Sequence, residues 1–358
     1  MSIVKIKPSP RKLFALVLRL QKMRLFILAL FVLPVWLLAG TVVPYGEDPF
    51  IQGMSLQAFS LGQIRALPME TVSIGGNVAS LAGRDLSLTA QHTEAYGGIY
   101  QTDVVQLTKS AWSLAIFRGG VSGIADTRGA LNDLGADGLP NTNDDGEGNG
   151  LFDPGESLNI SAISFFNVQQ WVAEAGYSKR ISTKLSTSAQ IRLLYHDLHT
   201  QSGFGIGFHA GLLYNPWRSL QLGIQATNLL TTTVFWSSGT QEHYLPGIYG
   251  AAMYEFNLSD DALLISPVVQ LEYQAKPTAE LSGDGYWGAA FGAEVNFRHQ
   301  LKLRMGESSD GQFTVGAGIV THYFNLDYAT AFSDLSKAAG QSHRVGIQVH
   351  LAQFNYWR

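Results

Sequence analysis

From about residue 85 onward, apolar and polar positions alternate with a period of two, the repeat of a strand whose side chains point to opposite faces. In residues 219–227, Leu220, Leu222, Ile224 and Ala226 fall on one face, and Gln221, Gly223, Gln225 and Thr227 on the other. Residues 205–214 set Ile206, Phe208, Ala210, Leu212 and Tyr214 against Gly205, Gly207, His209 and Gly211. Residues 188–196, 286–297 and 343–351 repeat the pattern. Each segment therefore has one apolar face and one polar or small face. In residues 219–227 the expected lipid-facing positions are Leu222 and Ile224, with Gln221 and Gln225 facing a lumen or plug.

A soluble sandwich alternates too, so other features decide. The candidate strands run for roughly 9–12 residues, the length a tilted bilayer crossing needs. Aromatic residues gather near their ends: Trp112, Trp171, Tyr214, Trp217, Tyr254, Tyr286, Trp287, Tyr323 and Tyr328. They resemble the interfacial girdles of membrane barrels. The fold class expected is all-β: a transmembrane antiparallel β-barrel over residues 85–358. Fifteen segments qualify, including neighbours at 158–166 and 170–179. Single-chain bacterial barrels have even strand numbers, so about 14 strands are expected, one candidate being a split strand or part of a plug. Residues 41–84 alternate poorly and are rich in small residues, which predicts an N-terminal plug segment.

Residues 1–40 read as a signal peptide. Lys5, Lys7, Arg11, Lys12, Arg19, Lys22 and Arg24 precede an apolar run at 25–38, and Ala39-Gly40 offers small residues for cleavage. The run is short for a spanning helix. Met23 is an alternative start. Thr41 stands where a lipoprotein would need cysteine. Composition fits a wall between lipid and water: 46% hydrophobic, only 15% charged, and 38 glycines. The absence of cysteine removes disulfides, thiol catalysis and Cys-ligated metals. A net charge of -4 gives no reason to invoke nucleic acid. The location these features predict is a bacterial outer membrane.

Several stretches resemble one family. Residues 90–128 read AQHTEAYGGIYQTDVVQLTKSAWSLAIFRGGVSGIADTR, and residues 236–246 read WSSGTQEHYLP. Residues 292–351 hold GAEVNFRHQLKLRMGESSDGQFTVGAGI, then FNLDYA, then a Ser-His-Arg-Val-Gly-Ile ending. Their order and spacing resemble the PorV/PorQ family, part of the wider FadL-like group of barrels. The resemblance implies 14 strands, an N-terminal plug, and docking or translocation of secreted or surface proteins in a type IX secretion-like role. FadL-like relatives conduct hydrophobic small molecules instead. A structural or adhesive surface barrel is a third reading. The family's Asn-Pro-Ala plug motif is here Asn77-Val78-Ala79, without the proline.

Candidate chemistry is sparse. Residues 120–157 form a long acidic loop. Within it Asp145, Glu147, Asn149, Asp153 and Glu156, with the Leu151 carbonyl, follow the spacing of a calcium loop, so Ca2+ is the expected cofactor. Asp133, Asp137 and Asp144 could add a second, less regular site. The histidines lack metal spacing. Glu272 and Glu294 are expected to pair with Arg192, Arg304 or Lys302 inside the barrel. No Ser/His/Asp grouping or phosphate loop emerges, and no enzymatic activity is expected. Phe235, Trp236 and Tyr244, in the segment 229–246, are the candidate partner contacts. The partners expected are membrane lipid and either a secreted or surface protein or a hydrophobic small molecule.

Overall fold

Alternating segments leave a row of unpaired N–H and C=O groups on each strand edge, and in lipid these must all be paired. The chain pairs them by closing on itself. The structure, a computed structural model, describes residues 53–67, 69, 74–258, 262–275, 285–332 and 340–354. The signal-peptide expectation at 1–40, including a start at Met23, lies outside these residues. So does the side chain of Tyr286.

Fourteen strands form the wall: β1 Arg84–Ala95, β2 Tyr100–Ser110, β3 Trp112–Asp126, β4 Ser164–Arg180, β5 Leu185–Asp197, β6 Ser202–Trp217 and β7 Leu220–Trp236. They continue as β8 Gly247–Tyr254, β9 Leu263–Gln274, β10 Tyr286–Phe297, β11 Leu301–Glu307, β12 Phe313–Val320, β13 Phe324–Phe332 and β14 Ser342–Val349. Each pairs antiparallel with the next, and β14 pairs with β1 to close the ring. The candidates at 158–166 and 170–179 prove to be largely one long strand, β4, which reduces fifteen to fourteen. Strand β3 runs on to Asp126, so the long loop starts at 127 and not at 120.

The two faces separate as the alternation requires. Leu222 and Ile224 are exposed on the outside, while Gln225 is fully buried. Trp171, Tyr195, Phe204 and Phe235 stand in register on β4 to β7 as an outward aromatic row. Near the opposite ends of β3 and β4, Trp112 and Tyr177 stack with ring centroids 4.7 Å apart.

The wall is uneven in height. Strands β3 to β7 have 13 to 17 residues, whereas β11 to β14 have 7 to 9. Inside lie the described residues between 53 and 83. Their short helix α1, Leu56–Ser60, is capped by Ser55, whose Oγ accepts the Ala58 amide at 3.0 Å. Met54, Leu56, Phe59, Leu61, Ile64 and Leu67 are all buried there. The lumen-facing glycines explain themselves at this contact. A Cβ on Gly292 or Gly306 would strike the backbone at Leu61, and one on Gly316 would strike Ser60. Glycine lets the plug backbone lie directly on the wall.

Candidate functional site

The site is the lumen, and Asn77 shows how the plug is set in it. Its side-chain amide donates to the carbonyls of Ala66 (2.8 Å), Leu212 (2.9 Å) and Ile224 (3.2 Å). Its Oδ1 accepts from the Ala79 amide and the Ser188 hydroxyl. Leu212 and Ile224 are partners across the β6–β7 seam, so the asparagine pins the plug to that seam. Gly211 leaves the space it needs.

Above this pin the lumen of the tall side is apolar. Val104, Phe117, Val172, Leu194, Gly205 and Val234 are successive cross-strand partners on β2 to β7. All their large side chains are buried, and with plug residue Ile74 and Tyr244 they form one cluster. They make an apolar half-ring inside a wall whose interior is ordinarily polar. Trp236 packs against the cluster, 5.6 Å from the His196 ring, and donates from Nε1 to Glu242. The sequence carries a signal for this half-ring that the alternation argument passed over. Each member except Gly205 belongs to an apolar doublet: Val104-Val105, Ile116-Phe117, Trp171-Val172, Leu193-Leu194 and Val234-Phe235. A doublet in a period-two strand is apolar on both faces.

Below the half-ring the lumen turns polar. Glu174 and Arg192 form a buried ion pair at 2.6 Å, and Gln190 donates to the same carboxylate. On the short side Arg304 bonds Glu294 at 2.6 Å and Asp327 at 2.7 Å. Glu294 thus pairs as expected. Glu272 instead receives Ser309 and Gln270, and the partner of Arg192 is Glu174.

The wall has a fault beside this boundary. In β7 the residues Asn228, Leu230 and Thr231 have φ of 51, 62 and 58°, a left-handed conformation costly for side chains other than glycine. The β6–β7 register shifts on both sides of Phe208. Asn228 keeps its own groups satisfied: its amide donates to His209 Nδ1, its side chain donates to the Leu245 carbonyl, and its Oδ1 accepts from Thr232.

The three residues singled out as partner contacts divide. Phe235 is exposed and belongs to the outward aromatic row, Trp236 is half-buried, and Tyr244 is buried in the lumen. His196 is buried in the lumen, whereas His199 stacks on Phe166 outside the ring.

Of the residues with calcium-loop spacing, Glu147, Asn149 and Glu156 accept backbone amides. Glu147 accepts the amides of Asn141 and Asn143. Glu156 accepts those of Gly135 and Asp153. Asn149 Oδ1 accepts the Leu151 amide, and its Nδ2 donates to Asp153. Asp133 accepts the amides of Gly148 and Gly150 at 2.8 and 2.7 Å, and these, Gly150 first, hold its carboxyl below the usual range. Asp144 accepts the Asp137 amide. Among the described residues no three acidic or histidine side chains converge; the calcium reading of Asp145, Glu147, Asn149, Leu151, Asp153 and Glu156 is a proposal, in which a cation would compete with these amides for the same oxygens.

No known sequence family and no curated protein matches the chain. Solved structures do. The chain is similar to outer-membrane barrels of the FadL-like group. The toluene transporter TodX of Pseudomonas putida is 11% identical over 86% of this chain and 98% of its own, with a TM-score of 0.47. The CymD monoaromatic hydrocarbon channel is 12% identical over 82% and 97%, at 0.46. A Pseudomonas aeruginosa FadL homologue is 9% identical over 87% and 100%, at 0.45. The closed wall and its apolar outer face belong to a bacterial outer membrane.

Proposed function

We propose that this barrel passes a small hydrophobic molecule across the outer membrane. The observation that carries the reading is the apolar half-ring Val104–Phe117–Val172–Leu194–Gly205–Val234. A lumen built only to hold water has no use for a continuous apolar strip on six strands, and beside a plug that can shift the strip offers an apolar solute a surface to replace the plug contacts. Its upper end carries Trp236 and Tyr244, and its lower end meets the plug at Ile74. The left-handed run in β7 supplies a weak place in the wall where an apolar solute can leave sideways into lipid without crossing the polar floor. The reading assigns the chain no reaction of its own.

The test is a flux measurement. Outer-membrane vesicles carrying the protein should admit phenylnaphthylamine, which fluoresces on reaching lipid. Leu194→Asp puts a charge in the strip and should slow entry by about tenfold or more. Equal rates for the two proteins would remove the reading.

A docking role of the PorV/PorQ kind is the second reading. Trp236 and Tyr244 are turned inward, so its support comes from elsewhere, the apolar side chains displayed by the long extracellular loop.

A further inference from the structure

Strands β3 and β4 continue past their neighbours. Strand β2 last pairs at Tyr100 with Val121, and β5 last pairs at Asp197 with Gln169. Beyond these, Ile124 to Asp126 pair only with Phe166 to Ser164, as a two-stranded ribbon. Phe165 lies six residues, or about 20 Å along the strand, beyond Trp171 of the outward aromatic row. The loop at 127–163 therefore stands clear of the bilayer.

This loop is internally braced. Leu131–Asn132 pairs with Ser157–Leu158. Glu156, Glu147 and Asp133 staple its turns through backbone amides. The bracing is polar, and it leaves the large apolar side chains outside. Leu139, Leu151, Phe152, Leu158, Ile160 and Phe165 are 53 to 77% exposed. Single exposed apolar residues are ordinary, but six exposed ones within 27 residues of a braced loop and the ribbon that carries it are a concentration of apolar side chains available to a partner. Their display on a fixed frame lowers the ordering cost of binding.

The charge of the loop selects the occupant. Residues 127–163 hold seven carboxylates and a single basic side chain, Arg128, and Arg128 is bound to Asp126 at 2.6 Å. An anionic lipid or nucleic-acid surface would be repelled. We infer that this loop docks a basic, apolar-faced segment of another protein at the cell surface, with Phe152 and Ile160 as anchors and the carboxylates steering the approach.

The experiment uses the full chain in zwitterionic nanodiscs, with empty nanodiscs as the blank. The probes are an amphipathic leucine–lysine peptide and its leucine–glutamate counterpart, read by interferometry. The basic peptide should bind, and more weakly as salt is raised. The acidic one should not. Phe152→Ser with Ile160→Ser leaves every charge in place and should weaken binding by about tenfold or more. Heat-modifiable migration of the variant checks that its barrel is intact. Equal binding of both peptides would overturn the proposal, as would an affinity unchanged by the serine pair. Binding of zwitterionic vesicles as strong as that of the basic peptide would also overturn it, by pointing to a membrane surface.

Discussion

The two sides of this barrel solve the same problem in opposite ways. On the tall side, β3 to β7, the upper lumen is filled by apolar side chains from wall and plug. On the short side, β11 to β14, the lumen is held by charges and amides: Arg304 between Glu294 and Asp327, and Asn325 bonded to Gln348. The short side also carries the plug helix, with Arg344 lying 3.6 Å over the Phe59 ring. An apolar filling tolerates displacement, because its contacts have no direction and a guest can replace them. A buried ionic network has fixed geometry and fixed partners, so it anchors. The difference assigns movement to the upper lumen of the tall side, above the Asn77 pin and the Glu174–Arg192 pair, and fixation to the short side; the strained run at Asn228–Thr231 lies on the tall side.

The largest effect expected from breaking this contrast is at Arg304. Arg304→Met takes the bridging cation from the buried Asp327 and the half-buried Glu294 and should cost about 3–5 kcal/mol. Adding Glu294→Gln and Asp327→Asn should recover most of that, because the cost belongs to the unpaired charges and not to the lost pair. Urea unfolding in detergent micelles measures both. If the single and triple variants unfold together, the short side is not held by its charges.

A smaller effect separates wall from plug at neighbouring positions. Ile224→Arg faces lipid near mid-strand and should cost about 2–4 kcal/mol. Alternation alone predicts that Gln225→Arg is nearly free, since position 225 faces the lumen. The structure places Gln225 fully buried, with its amide on Gln190, so overpacking of about 1–3 kcal/mol is expected there. Deleting residues 53–83 should relieve the cost at 225 and leave the cost at 224. Relief at both positions, or at neither, would mean that the faces are assigned wrongly.

The wall was legible because its physics is local. One residue in two must face lipid, and Leu222, Ile224 and Gln225 follow the rule. The merging of 158–166 with 170–179 was not legible, since polar Asn167 and Gln169 break the outward pattern where β4 has already left the bilayer. The lumen was read less well. A partner across the barrel has no fixed spacing in sequence, so Glu294 with Arg304 could be anticipated while Glu174 with Arg192 was missed. Trp236 and Tyr244 looked like loop-tip contacts because no local rule says which way a short hairpin folds. At 145–156 spacing identified the oxygens. It could not say whether those oxygens turn to a cation or to the amides that glycine-rich turns expose.

That competition between oxygens and amides sets the smallest and most local effect, in the loop that crowns the tall side. Asp133 joins the two halves of the loop through the amides of Gly148 and Gly150, and these hold its carboxyl below the ordinary range. A lowered value stabilises the folded loop at full strength above the unfolded aspartate pKa, about 3.9. The contribution is lost as pH falls through the lowered folded value. The loop should therefore resist cleavage within 127–163 at mildly acidic pH and become open to pepsin as acidification protonates Asp133, while the barrel stays closed. Asp133→Asn removes the charged acceptor and should leave the loop cleavable throughout that range. Asp153→Asn should change little, since among the described residues the Asp153 side chain receives the Asn149 side-chain amide at 2.6 Å and no backbone amide. Resistance in the Asp133→Asn protein equal to that of the wild type would shift the bracing to Glu147 and Glu156, whose amide bonds would then hold the loop alone.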